Sequence, residues 1–205
     1  MARAKIRRMT THLKQFTLRT GLALAVAGLA SSCRQVQPLP LAESHPAQPS
    51  GPVLYEWTGA GLTGPVAVRI DLSEQKAELS RGGQPAGWTY VASGTSSHPT
   101  PAGSFSIKEK VRQKRSTSWG VVVDARGDTV NRNARNGRSA VPSGGRFVGA
   151  SMPFWMRING AIGMHAGPIP HPGRPASHGC IRLPRGMAEI LFEVTDLGTP
   201  VEVVP

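Results

Sequence analysis

A chain of 205 residues with 24 Lys and Arg against 12 Asp and Glu carries a net charge of +12, and it is long enough for one globular core but not for several. The basic balance invites a polyanion. Yet aromatic residues make up only 5% and no recognition motif or basic helix is present, which excludes nucleic acid as the expected partner.

In chain order, the first 32 residues read as a secretory signal. Arg3, Lys5, Arg7, Arg8, Lys14 and Arg19 precede a short apolar run, 21–30, and the small residues Ala30, Ser31 and Ser32 lead into Cys33. That pattern is too short for a stable membrane span. The run Leu29-Ala30-Ser31-Ser32-Cys33 also resembles a bacterial lipobox. The resemblance implies lipidation of Cys33, membrane attachment through that lipid, and an extracytoplasmic place in the cell envelope. There are two cysteines, so lipidation or removal of Cys33 leaves Cys180 without a disulfide partner. An unpaired thiol in an oxidising compartment needs a reason to exist.

Residues 33–65 hold Pro38, Pro40, Pro46, Pro49, Pro52 and Pro65 and few large apolar residues. They read as a linker that cannot bury a core of its own. Residues 66–205 remain for a single domain. Val66, Val68, Ile70 and Leu72 alternate on one face of a strand, 73–75 reads as a turn, and 76–81 as its partner strand. Gly82-Gly83 turns into a strand at 88–91. Further strands are expected at 104–111, 119–124, 152–158, 161–164 and 201–204. One helix is expected after Pro184, where Met187, Ile190, Leu191 and Val194 keep helical spacing and Gly198 follows the end. The fold class is mainly β, a sandwich or barrel with at least one packed α-helix.

The chemistry concentrates at 165–182. Cys180 stands in Ser177-His178-Gly179-Cys180-Ile181-Arg182-Leu183, with His165 upstream. A thiol, two imidazoles, a glycine and a guanidinium are the parts of a cysteine nucleophile acting on an acyl group. Flanked by Gly, His and Arg, Cys180 does not read as a buried small hydrophobe. Residues 129–188 contain no Asp or Glu but eight arginines, a field expected to lower the thiol pKa and attract carboxylates. The same absence leaves no local acid for a Cys–His–Asp triad, so a main-chain carbonyl is the expected partner of the imidazole, offered by the loop after His165. Spacing leaves the choice of base open. In an extended segment His178 and Cys180 share one face, so either histidine fits. His98 and His171 lie in Pro-rich loops and read as exposed, and Phe154 and Trp155 as packing.

Three ordered pieces resemble the L,D-transpeptidase catalytic domain, the YkuD domain. They are Thr100-Pro101-Ala102-Gly103-Ser104-Phe105, then Met152-Pro153-Phe154-Trp155-Met156-Arg157 leading through Gly163 to His165, and then 177–183. The hairpin at 66–81 resembles the family's opening strands. The resemblance implies that Cys180 is the nucleophile, His165 the base, and Ala166 the source of the orienting carbonyl. It implies that His178 and Gly179 line the oxyanion region, that Ser177 is a structural hydroxyl, and that Arg182 is close to substrate. The family usually has Gly directly after the first His, where this chain has Ala166. The implied substrates are peptidoglycan stem peptides, cut before a terminal D-amino acid through a thioester, with an amine as acceptor and no cofactor. Water as acceptor would make a carboxypeptidase, and a non-catalytic wall-binding lipoprotein is the remaining reading. A sortase-like enzyme lacks support, because its His and Cys lie farther apart in sequence. A zinc site on His165, His171, His178 and Cys180 has neither a Cys-x-x-Cys pair nor local carboxylates. No metal is expected.

Overall fold

The structure is a computed structural model, and it describes residues 51–205. The expected signal over 1–32, Cys33 and the first part of the linker lie outside the described residues. In chain order the elements are β1 (Tyr55–Trp57), a 3-10 turn (Gly59–Gly61), β2 (Val66–Asp71), β3 (Lys76–Arg81), β4 (Gln84–Tyr90), β5 (Gly103–Ser106), β6 (Glu109–Val123), β7 (Thr129–Arg135), β8 (Arg146–Asn159), β9 (Ile162–Ala166), β10 (Ile181–Leu183), α1 (Arg185–Val194) and β11 (Pro200–Val204).

They form two sheets. The first has the order β1-β4-β3-β2-β11-β5 and the second β10-β9-β8-β6-β7. Two pairs are parallel, β11 with β2 and β10 with β9, and the rest are antiparallel. The inward residues of both sheets share one core. Val66, Val68, Ile70, Leu79, Val201 and Val203 come from the first sheet, and Phe154, Met156, Ile158, Met164, Ile181 and Leu183 from the second. The apolar face of α1, Met187, Ala188 and Leu191, closes the same core. This is the two-layer solution open to sheets with one apolar face each.

Several expectations shift. The sheet begins inside the stretch read as a linker: β1 pairs with β4, and Tyr55, Trp57 and Leu62 pack against the core. Three residues paired at an edge are too short to show alternation. The expected strand at 104–111 divides into β5 and the start of β6 at Ile107-Lys108. From there β6 continues through the charged stretch 112–118 to Val123, because its backbone pairs with β8 on both sides of an irregularity between Arg115 and Gly120 and its side chains there are largely solvent-facing. β7 occupies part of the arginine-rich segment, where no strand was expected. Its one buried side chain is Ala134, so no apolar period marked it. β10, with three residues, is too short to show a strand period.

Gln75, in the β2–β3 turn, is 1% exposed and has a left-handed φ of 53°. Its amide nitrogen donates to the Leu72 carbonyl and to Ser93 Oγ, and its amide oxygen accepts from the Ser93 main-chain N–H. Ser93 in turn presents its carbonyl to the N–H groups of Ala176 and Ser177. A polar bridge therefore runs from the opening hairpin to the loop that carries Cys180.

Candidate active site

Cys180 directly precedes β10, and His165 lies on β9. The parallel register puts Arg182 opposite His165 and Ile181 opposite Met164. One strand pairing thus brings together two ends of a loop fourteen residues long. A cavity of about 260 Å³ is lined by His165, Ser177, His178, Cys180 and Arg182, with Ser116, Trp119, Ser151, Met152 and Pro168 among its walls.

His165 is 6% exposed. Its Nδ1 lies 2.9 Å from the Ala166 carbonyl oxygen. A carbonyl only accepts, so Nδ1 carries the proton and Nε2 keeps a free lone pair. Burial lowers the His165 pKa from 6.5 to about 4, with the Ala166 hydrogen bond opposing and the Arg182 charge reinforcing the shift.

The field of arginines does not produce a thiolate. Burial pushes the Cys180 thiol above its ordinary value, and the Gly163 amide and Arg182 only partly offset this. Of the eight arginines in 129–188, Arg182 alone lines the cavity that holds His165. The thiol lies 3.7 Å from the Ala161 carbonyl, a contact suited to a protonated S–H donor. At rest the cavity holds a neutral thiol and a neutral imidazole: burial disfavours both charged forms, and at the thiol it outweighs the charge of Arg182.

Ser177, 3% exposed, organises the turn. Its hydroxyl accepts from the Gly179 N–H at 3.0 Å and donates to the Cys180 carbonyl. Gly179 has φ +112°, a conformation that disfavours any side chain. That angle also breaks the alternation by which His178 and Cys180 would have shared a strand face. His178 still lines the cavity, but its ring stacks on Trp119 at 3.9 Å, and His98 meets both edge-on at 5.1 and 5.0 Å. His98 is half-buried in this stack and not an exposed loop residue, whereas His171 is exposed.

The position of Trp119 was not legible in the sequence. Between Arg115 and Gly120 the β6–β8 register slips, and Ser116 Oγ accepts from the Ser118 and Trp119 N–H groups to hold the bulge. A second concavity of about 320 Å³ shares Cys180, His178 and Trp119 and reaches Glu109, Lys114 and Arg157. Glu109 accepts from the Trp155 indole N–H at 3.0 Å and from Lys114 at 3.3 Å, and the indole bond leads in holding its carboxyl below the usual value. A concavity of about 660 Å³ on the outer face of the first sheet, around Arg69, Glu78 and Trp88, is lined by no cysteine or histidine. Among the described residues, no cluster of three His, Cys, Asp or Glu side chains is placed to hold a metal ion.

The family model described as the YkuD L,D-transpeptidase catalytic domain matches residues 65–203. The chain belongs to this family. An L,D-transpeptidase structure from Mycobacterium smegmatis is similar with a TM-score of 0.51 and 21% identity, covering 69% of this chain and 59% of that one. One from Xylanimonas cellulosilytica is similar with a TM-score of 0.50 and 19% identity, covering 69% and 61%. At such identities the likeness concerns the fold, which is mainly β with two sheets and one helix. The chain spans about three fifths of the length of these L,D-transpeptidase structures. A comparison with curated proteins returns no match.

Proposed function

We propose that this chain is a cysteine-dependent L,D-transpeptidase acting on peptidoglycan stem peptides. The observation that carries the reading is a thiol and an imidazole lining one cavity, the imidazole held by the Ala166 carbonyl with Nε2 free. Cys180 is the nucleophile and His165 the base.

As Cys180 attacks the carbonyl before the terminal D-amino acid, its proton passes to His165 Nε2. The negative charge that develops on the carbonyl oxygen is met by main-chain N–H donors of the 178–180 turn. The C–N bond breaks, the D-amino acid leaves with the proton from His165, and a thioester remains. An acceptor amine then gives its proton to His165 and takes the acyl group, which restores the thiol. Arg182 faces the same cavity and suits a substrate carboxylate. Lipidation at Cys33 would hold the enzyme to an envelope membrane near such substrates.

Incubating a disaccharide-tetrapeptide with the protein and with Cys180→Ala, followed by mass spectrometry, tests this. Loss of the terminal D-amino acid with the wild type alone is expected. No turnover of any stem peptide would sink the proposal, and release without amine incorporation would turn it into a carboxypeptidase.

A further inference from the structure

The turn that carries the nucleophile is held from below by a residue outside the 165–182 cluster. Thr100 is 6% exposed, and its hydroxyl is fully engaged. It accepts from the Gly94 N–H at 2.8 Å and donates to the Gly179 carbonyl at 2.7 Å. The first bond fills a lone pair and leaves the hydroxyl proton only one productive direction, toward Gly179. The approach is close: a Cβ at Gly94 would stand 2.0 Å from the His98 carbonyl oxygen and 2.8 Å from the Gly179 Cα. The segment 94–100 is therefore packed directly beneath the turn.

The peptide joining Gly179 to Cys180 is planar and trans, so its N–H points opposite to its C=O. By fixing the Gly179 carbonyl on the Thr100 side, the hydroxyl aims the Cys180 N–H to the other side. Among the described residues that N–H has no hydrogen-bond partner, whereas the Gly179 N–H is already committed to Ser177 Oγ. A main-chain donor left open beside its own thiol, on a peptide plane clamped by a buried hydroxyl, is the arrangement that stabilises an oxyanion without reorganisation.

We propose that Thr100 is a positioning residue for the oxyanion site: it orients the Gly179–Cys180 peptide so that the Cys180 N–H receives the negative charge during acylation. This rests on the acyl-transfer reading and adds to it the residue that holds the donor. Thr100 touches neither substrate nor thiol. Its effect is confined to steps that build charge on a carbonyl oxygen.

The test compares two reactions of Cys180 in the full-length chain at one pH, both followed by intact mass. One is acylation by a carbapenem, whose carbonyl becomes an oxyanion under attack. The other is alkylation by iodoacetamide, a displacement at carbon that forms none. Thr100→Val should slow acylation on the order of 10–100-fold and leave alkylation nearly unchanged. Thr100→Ser, which keeps the hydroxyl, should acylate close to the wild-type rate. Thr100→Ala, which leaves room for water, provides the same comparison if the valine variant does not fold. Acylation unaffected in the folded variants, or acylation and alkylation falling together, overturns the assignment. A wild-type chain that alkylates but acylates with no carbapenem or stem peptide overturns the acyl-transfer reading itself, a distinct result.

Discussion

His165 and Arg182 are Cα partners across the parallel ladder between β9 and β10. Their side chains line the same cavity, and the guanidinium charge depresses the imidazole pKa. The Arg182 stem also crosses Gly167 closely, since a Cβ there would lie 2.9 Å from Arg182 Cγ. A single register thus couples the proposed base to the proposed carboxylate anchor.

Removing that charge should have two effects. Arg182→Gln should raise KM for a carboxylate-bearing stem peptide on the order of tenfold, the value of one charge-assisted hydrogen bond. It should also shift the acid limb of the rate profile upward, because a repulsion on the imidazolium is gone. Steady-state kinetics across pH measure both. An unchanged KM would remove Arg182 from substrate binding.

The pH dependence of the wild type follows from a neutral resting pair. His165 stays unprotonated down to about pH 4, and burial keeps Cys180 a thiol beyond its ordinary 9.0. The rate of Cys180 acylation should rise through about pH 4 and then stay level across neutrality. An acid limb centred near 6.5 would instead indicate a solvated base and count against His165.

The two histidines should separate cleanly. His165→Ala should lower acylation by about 10²-fold or more, the range for loss of a general base. His178→Ala should cost less, because its ring is stacked on Trp119 and a wall, not a proton acceptor, is lost. Single-turnover rates decide. Abolition of acylation by the His178 change alone would reverse the assignment.

Buried His165 also ties stability to pH. Its folded pKa, about 4, lies below the unfolded 6.5, so the unfolded chain binds the extra proton between these values. The contribution is complete above pH 6.5 and is lost as pH falls through that window, by about 3 kcal/mol at pH 4. Urea unfolding at pH 7 and near pH 4 should show this drop, and His165→Gln should flatten it. A wild type and variant with the same pH slope would contradict the buried, neutral imidazole.

Gln75→Leu should destabilise the domain by about 2 kcal/mol or more, since it strands the buried Ser93 N–H and hydroxyl that Gln75 now satisfies. A urea melt with an unshifted midpoint would show that the bridge from the hairpin to the loop carrying Cys180 contributes nothing.

Much of the fold was readable because its period-2 strands and one amphipathic helix are strong local signals. The pair Val66–Asp71 and Lys76–Arg81 and the helix Arg185–Val194 follow directly from apolar spacing and turn residues. β1, β7 and β10 were not readable, because short or half-polar strands gain their stability from backbone pairing supplied by a neighbour. Within the site, Cys180, His165 and Arg182 were legible as residue types. Trp119 and the half-buried His98 were not, because a β-bulge and a loop packed under Gly179 bring them in.

By itself the sequence determined the residue chemistry: one thiol within the domain, an imidazole upstream, no local carboxylate, and an apolar pattern that can only close as β-rich layers. Only the tertiary structure decided how those groups are tuned. Burial makes thiol and imidazole neutral where a count of arginines suggests a thiolate, because desolvation acts at the atom while charge is spread over a surface. It also fixed the distance and direction of the Ala166 carbonyl at His165 Nδ1, and it set the hydroxyl of Thr100, eighty residues before Cys180, against the Gly179 carbonyl. Both depend on backbone directions, which a list of side chains does not contain.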